Sequence, residues 1–124
     1  MEETQLEDQL MRQMAPQLYE AVEELDFETI QLFISHDFQT DFRVTSTGIT
    51  IYSLVMGVDQ AALEAIEDGP MKYIKTLKML RKKRPNLLAT DDLDRNCFHH
   101  AASANNALGL SFTVAMYNDL LQKQ

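Results

Sequence analysis

Cys97, His99 and His100 stand almost side by side in the run Asp91-Asp92-Leu93-Asp94-Arg95-Asn96-Cys97-Phe98-His99-His100-Ala101-Ala102, and they are the residues best equipped for chemistry. A thiol and two imidazoles suggest a zinc site or a thiolate–imidazole nucleophile. Structural zinc takes about four ligands, and the chain has no other Cys and one other His, His36. A Cys–His nucleophile needs facing side chains, an orienting third group and oxyanion donors. No pattern in the chain supplies them, so these residues read as structural, and neither enzyme activity nor a metal or cofactor is expected. The acids Asp91, Asp92 and Asp94 imitate the opening of a calcium loop. The turn glycine and the distal bidentate Glu of such a loop are missing. An Asx-type turn is the expectation there.

Charge is the second chemical feature. The net charge is -8, yet Lys72, Lys75, Lys78, Arg81, Lys82, Lys83 and Arg84 form a run without an acid. Helical spacing puts Lys72, Lys75, Lys78 and Lys82 on one face. That stripe can be a solvated face whose cations suit a helix C-terminus, a docking surface for an anionic partner, or, at Arg81–Arg84, a nuclear import signal. Glu20, Glu23, Glu24, Asp26 and Glu28 form an acidic counterpart, so head-to-tail self-association is a further option. The overall acidity argues against general nucleic-acid binding. No apolar run approaches the ~20 residues of a membrane span. A single Cys excludes an internal disulfide and suits a reducing compartment, which points to the cytoplasm and/or nucleus. The opening MEETQLEDQLMRQM lacks the basic end and apolar core of a signal peptide.

The elements that position these groups are helical. Leu6, Leu10, Met11 and Met14 predict a first amphipathic helix, broken at Ala15-Pro16. A second runs from Pro16 to Glu24 with Leu18, Ala21, Val22 and Leu25 inward. Asp26 is the expected N-cap of a third, whose apolar side is Phe27, Ile30, Leu32, Phe33 and Ile34. Asp37–Thr50, with Phe38, Phe42, Val44 and Gly48, reads as an extended loop or small hairpin. Helix resumes at Tyr52–Met56 and continues through Gly57–Ile66 until Asp68-Gly69-Pro70. Met71–Lys83 is helical, Leu87–Cys97 is a second extended loop, and Phe98–Asn105 and Leu110–Gln122 are the last helices. Phe27–Phe33 overlays Ile74–Leu80, each a short amphipathic helix followed by an extended piece and a turn. Such recurrence marks a stacked repeat protein.

The order helix, turn, helix, extended loop resembles the ankyrin repeat, a unit of about 33 residues. Asp91, His99, Ala101 and Ala102 match that family's Asp-x-x-Gly-x-Thr-Pro-Leu-His-x-Ala-Ala pattern. Asp94, Asn96, Cys97 and Phe98 replace its Gly, Thr, Pro and Leu. Leu25–Phe33 is similar to the second half of the unit, and Gly48–Val55 is a weaker copy of the first. The resemblance implies an all-α ankyrin-type solenoid: a capping helix at 1–15, then a repeat domain at 16–124 with units near 16–47, 48–93 and 94–124. Residues 57–71 exceed the family's unit and read as an insertion.

In that family His99 would be structural and the paired alanines would let inner helices approach. The implied function is protein binding, as a scaffold or adaptor module in the N-terminal portion of a longer regulatory protein. The implied partner surface is the loop tips Phe42, Arg43, Thr45, Thr47 and Ile49, then Asp92, Asp94, Arg95 and Cys97, with Glu20, Leu54, His100 and Ala104 on the inner helices. The alternative is a homodimeric regulatory or structural domain. It would use the insertion or an uncapped apolar end at Phe112, Val114, Met116, Tyr117, Leu120 and Leu121.

Overall fold

The structure, a computed structural model, describes residues 2–36 and 42–123, with side chains from Gln13 onward. The predicted apolar face of Leu6, Leu10 and Met11 and the loop residue Phe38 lie outside what is described. The chain is all-α: α1 (Glu2–Glu24), α2 (Phe27–Ser35), α3 (Ile51–Met56), α4 (Gln60–Glu64), α5 (Gly69–Lys82), α6 (Cys97–Ser103) and α7 (Ala107–Gln122). Among the described residues the one β-type pairing is an isolated antiparallel bridge between Arg43 and Thr50. Helices α1, α3 and α6 pack in succession as one layer, and α2, α5 and α7 form the other.

The predicted break at Pro16 does not occur, because α1 continues through it. Ala15, Leu18, Ala21 and Val22 carry one buried face across the proline, so burial outweighs the backbone bond that proline removes. Pro16 itself is exposed, where water can serve the carbonyl left without a donor. Two helix–helix turns repeat each other. Leu25 and Asn105 adopt left-handed φ values of 57° and 58°. The next amide then reaches back, from Asp26 to the Ala21 carbonyl (2.8 Å) and from Asn106 to that of Ala101 (2.9 Å). This is the Schellman closure of a helix end. Asp26 and Asn106 then cap α2 and α7 through their side chains. Ahead of α3 and α6 the pattern recurs, with left-handed Gly48 (φ 81°) and Asp94 (φ 59°) preceding the N-caps Thr50 and Asn96.

The overlay of α2 on α5 holds in the core: Ile30 and Phe33, like Leu77 and Leu80, are buried. Leu32 is not, at 64% exposure; it points away from α5, on the side of the helix opposite Ile30 and Ile34. The stretch expected as continuous helix from Gly57 to Ile66 is interrupted. Asp59 caps a separate short α4 by accepting from the Ala61 amide, and Val58 and Leu63 anchor the segment in the core. α5 begins at Gly69, earlier than predicted, directly against the α4 end. A Cβ on Gly69 would overlap the Leu63 carbonyl oxygen, so only glycine allows that approach.

α3 is short, and its last carbonyls show what fixes it. The Ser53 and Leu54 carbonyls accept from the Gly57 amide. The Val55 carbonyl accepts from the Tyr73 hydroxyl (2.8 Å) and that of Met56 from Asn106 Nδ2 (2.9 Å). Asn106 Nδ2 also donates to the Tyr73 hydroxyl (2.7 Å). Each carbonyl that a helix end leaves without an intrahelical partner is thereby satisfied. Two of the donors come from the other layer, which ties α3 to α5 and α7. Burial pushes the Tyr73 pKa upward, against the bond from Asn106, so the phenol stays a donor.

Candidate functional site

The loop expected to grip a partner is largely occupied with the protein itself. Phe42 is buried, at 7% exposure, and this corrects its assignment as a partner-binding tip: its ring joins the core beneath the hairpin. Arg43 is exposed, but its Nη1 donates to the Gly48 carbonyl and to the Thr90 carbonyl (both 2.9 Å), bridging the two extended loops. The Asp92 amide donates to the Thr47 carbonyl (2.9 Å). Thr45 and Thr47 pair through their hydroxyls (2.9 Å), and the Thr45 hydroxyl accepts from the Ile49 amide. Asp94 is exposed and spends its conformation on the turn.

Asp91 organises the second loop. Its Oδ1 accepts from the Leu93 and Arg95 amides (2.9 and 3.0 Å). Its Oδ2 meets Arg95 Nε and His100 Nε2, each at 3.0 Å. Burial alone would raise its pKa, but these bonds outweigh burial and hold the carboxyl well below the usual carboxylate range. Arg95 and His100, expected as partner contacts, thus share an internal carboxylate. The triple-Asp run is the predicted Asx turn, and among the described residues no group of His, Cys, Asp and Glu could hold a metal ion.

His99 is structural: its Nδ1 accepts from the Asn96 amide (3.1 Å) while the Asn96 side chain accepts from the His99 amide (3.2 Å), a reciprocal cap. Cys97, included among the exposed tips, is instead 2% exposed, with Sγ donating to the Leu87 carbonyl (3.3 Å). Burial pushes its thiol up to about 12, which leaves almost no thiolate at neutral pH. Ala101 is fully buried between α6 and its neighbours, whereas Ala102 is exposed, so one of the two alanines serves close packing.

The basic stripe is mostly free. Lys75, Lys78, Arg81, Lys82 and Arg84 are exposed. Lys83 is half-buried and donates to the His36 carbonyl (2.8 Å). The Arg81 guanidinium lies 5.7 Å from the centre of the Phe112 ring. Arg81 and Arg84 also border a cleft of about 710 Å³ with Met116, Asp119, Leu120 and Lys123.

The arrangement with most binding character lies on the layer made by α1, α3 and α6. A cavity of about 310 Å³ opens there. Its apolar walls come from Val22, Leu25, Ile49, Leu54 and Val58, and its polar groups are Tyr19, Glu23, Ser53, Asp59 and His100. Ile49, Leu54 and His100, expected from the sequence as partner contacts, are brought together here. Glu20, exposed on α1, and Ala104, the half-buried C-cap of α6, do not line the cavity. Tyr19, Ser53 and Asp59 were not anticipated, and Glu23 stood in the sequence only as part of the acidic run Glu20–Glu28. Tyr19 and Glu23 are an i, i+4 pair, and a hydrogen bond to the Glu23 carboxylate raises the Tyr19 pKa. Ser53 is 4% exposed, and its hydroxyl has no hydrogen-bond partner among the described residues. A buried hydroxyl without a partner is uncommon and calls for one.

The chain is thus an all-α protein with a lined cavity on one helical layer. Comparison with protein-family models, with curated proteins and with solved structures finds no match.

Proposed function

We propose that this chain is a protein-interaction module of the ankyrin type, binding a partner along the α1–α3–α6 layer. The repeated turn chemistry supports the repeat reading: left-handed Leu25 and Asn105 before side-chain caps, and left-handed Gly48 and Asp94 before Thr50 and Asn96. The stacking of the two extended loops through Arg43 and Asp92 supports it further. Residues 57–68 are then an insertion between the inner and outer helices of the middle unit. The observation that carries the functional reading is the cavity itself, concave, mainly apolar and dotted with a few polar groups, as binding sites are. A non-enzymatic role accords with the buried, bonded Cys97 and with the His99 and His100 imidazoles, engaged in a helix cap and in a hydrogen bond to Asp91. A reducing compartment, cytoplasm or nucleus, suits the lone thiol.

Immobilised protein should capture a specific partner from cell extract. Tyr19→Ala combined with Leu54→Gln should abolish that capture, while the outer-face change Lys78→Gln should leave it intact. Equal capture by all three proteins, each shown to be folded by circular dichroism, would refute the reading. Self-association is a second reading, favoured by Val114, Leu120 and Leu121, which lie exposed along α7. A sedimentation coefficient rising with concentration in wild type but not in Leu120→Ser plus Leu121→Ser would establish it.

A further inference from the structure

The cavity on the α1–α3–α6 layer has a chemical bias. Its two charged groups are both carboxylates, Glu23 from α1 and Asp59 from the segment after α3. Among the described residues no Lys or Arg lines it. Between and beneath them the walls are aliphatic: Val22, Leu54, Val58 and Ala62. Ser53 adds a buried hydroxyl with no partner among the described residues. A neutral apolar ligand would leave that hydroxyl unanswered and would make no use of the carboxylates of Glu23 and Asp59, which are exposed. An anion would be repelled by both carboxylates. A long side chain with an aliphatic stem and a cationic head answers the hydroxyl and both carboxylates at once, since such chains bury the stem and keep the head polar.

Resting on the interaction-module reading, we infer that this cavity seats a lysine or arginine side chain of the partner. The stem lies along Val22, Leu54 and Val58, and the head is shared by Glu23, Asp59 and the Ser53 hydroxyl. The Asp59 carboxylate keeps capacity for this role, because it caps α4 by accepting a single long bond, from the Ala61 amide to Oδ1 at 3.3 Å. The net charge of -8 adds long-range attraction for a basic segment. The insertion gains a purpose, since Val58, Asp59 and Ala62 build one wall of the cavity.

The test uses four peptide libraries on arrays, random at the flanking positions and carrying Lys, Arg, norleucine or Glu at the centre, probed with the full chain. Lys- or Arg-centred peptides should bind in preference to the others. Glu23→Gln and Asp59→Asn should each weaken that binding about three- to fivefold, the scale of a lost exposed ion pair. Both substitutions suit the fold, because Gln is a good helix former and Asn caps as well as Asp. Raising the salt concentration should weaken binding in wild type more than in the double variant. Norleucine peptides binding as well as lysine peptides would overturn the inference yet leave the interaction-module reading standing. Binding by no library would also overturn it, and the capture experiment would then decide the broader reading separately.

Discussion

Replacing Asn106 by alanine tests how the two layers are locked together. Asn106 is 1% exposed and acts in three directions. Its Oδ1 caps α7 by accepting from the Gly109 amide at 3.0 Å, and its Nδ2 donates to the Met56 carbonyl and to the Tyr73 hydroxyl. Loss of the cap costs about 1 kcal/mol. The Met56 carbonyl, in a fully buried residue, would lose its donor at a further cost of about 1–3 kcal/mol. The sum is about 2–4 kcal/mol. With an unfolding entropy near 2.1 cal/mol/K per residue, a chain of 124 residues would lose about 8–15 °C in Tm. Asn106→Ser retains an N-cap oxygen but cannot supply the amide donor, so it should fall between wild type and alanine. Urea unfolding followed by circular dichroism gives the free-energy cost, and a thermal melt gives the Tm. A cost below about 1 kcal/mol for Asn106→Ala, with an unchanged urea slope, would refute the reasoning that these bonds hold α3 to the outer layer.

Two further perturbations probe the framework of the candidate site. Gly69→Ala should destabilise the chain by about 1–3 kcal/mol, because its Cβ meets the Leu63 backbone; since that contact joins α4 to α5, peptide binding in the cavity should weaken in parallel. A wild-type melting temperature in this variant would show that the approach is not tight. Asp91 governs acid stability: its pKa is depressed on folding, so its contribution is complete above the unfolded value of about 3.9 and is lost as pH falls below that value toward the folded one. Urea midpoints at pH 7 and pH 3 should therefore differ more in wild type than in Asp91→Asn, and equal pH dependence would count against the carboxylate's central place in the loop.

Local features were legible in the sequence where one residue type decides them. The buried faces of α2 and α5 follow from helical spacing at Ile30, Phe33, Leu77 and Leu80. Asp26 could be assigned as a cap because only local backbone geometry is involved. Pro16 reads as a break because its cost, about 3 kcal/mol, is local, while the continuous face of Ala15, Leu18 and Val22 has its effect only once α2 and α3 cover it. Phe42 and Cys97 read as loop tips because nothing near them in sequence shows that Phe42 joins the core or that Cys97 opens α6 with its thiol turned to the Leu87 carbonyl. The cavity was the least legible element. Glu23, Ser53, Asp59 and His100 come from three helices and an insertion, and their common environment exists only after α1, α3 and α6 pack side by side. Composition and periodicity determined the all-α class, the apolar faces of α2 and α5 and the Asp26 cap, since those depend on neighbours within a turn or two. Tertiary packing decided which polar groups stay free to bind, because hydrogen bonds between distant segments claim some side chains and leave others without a partner.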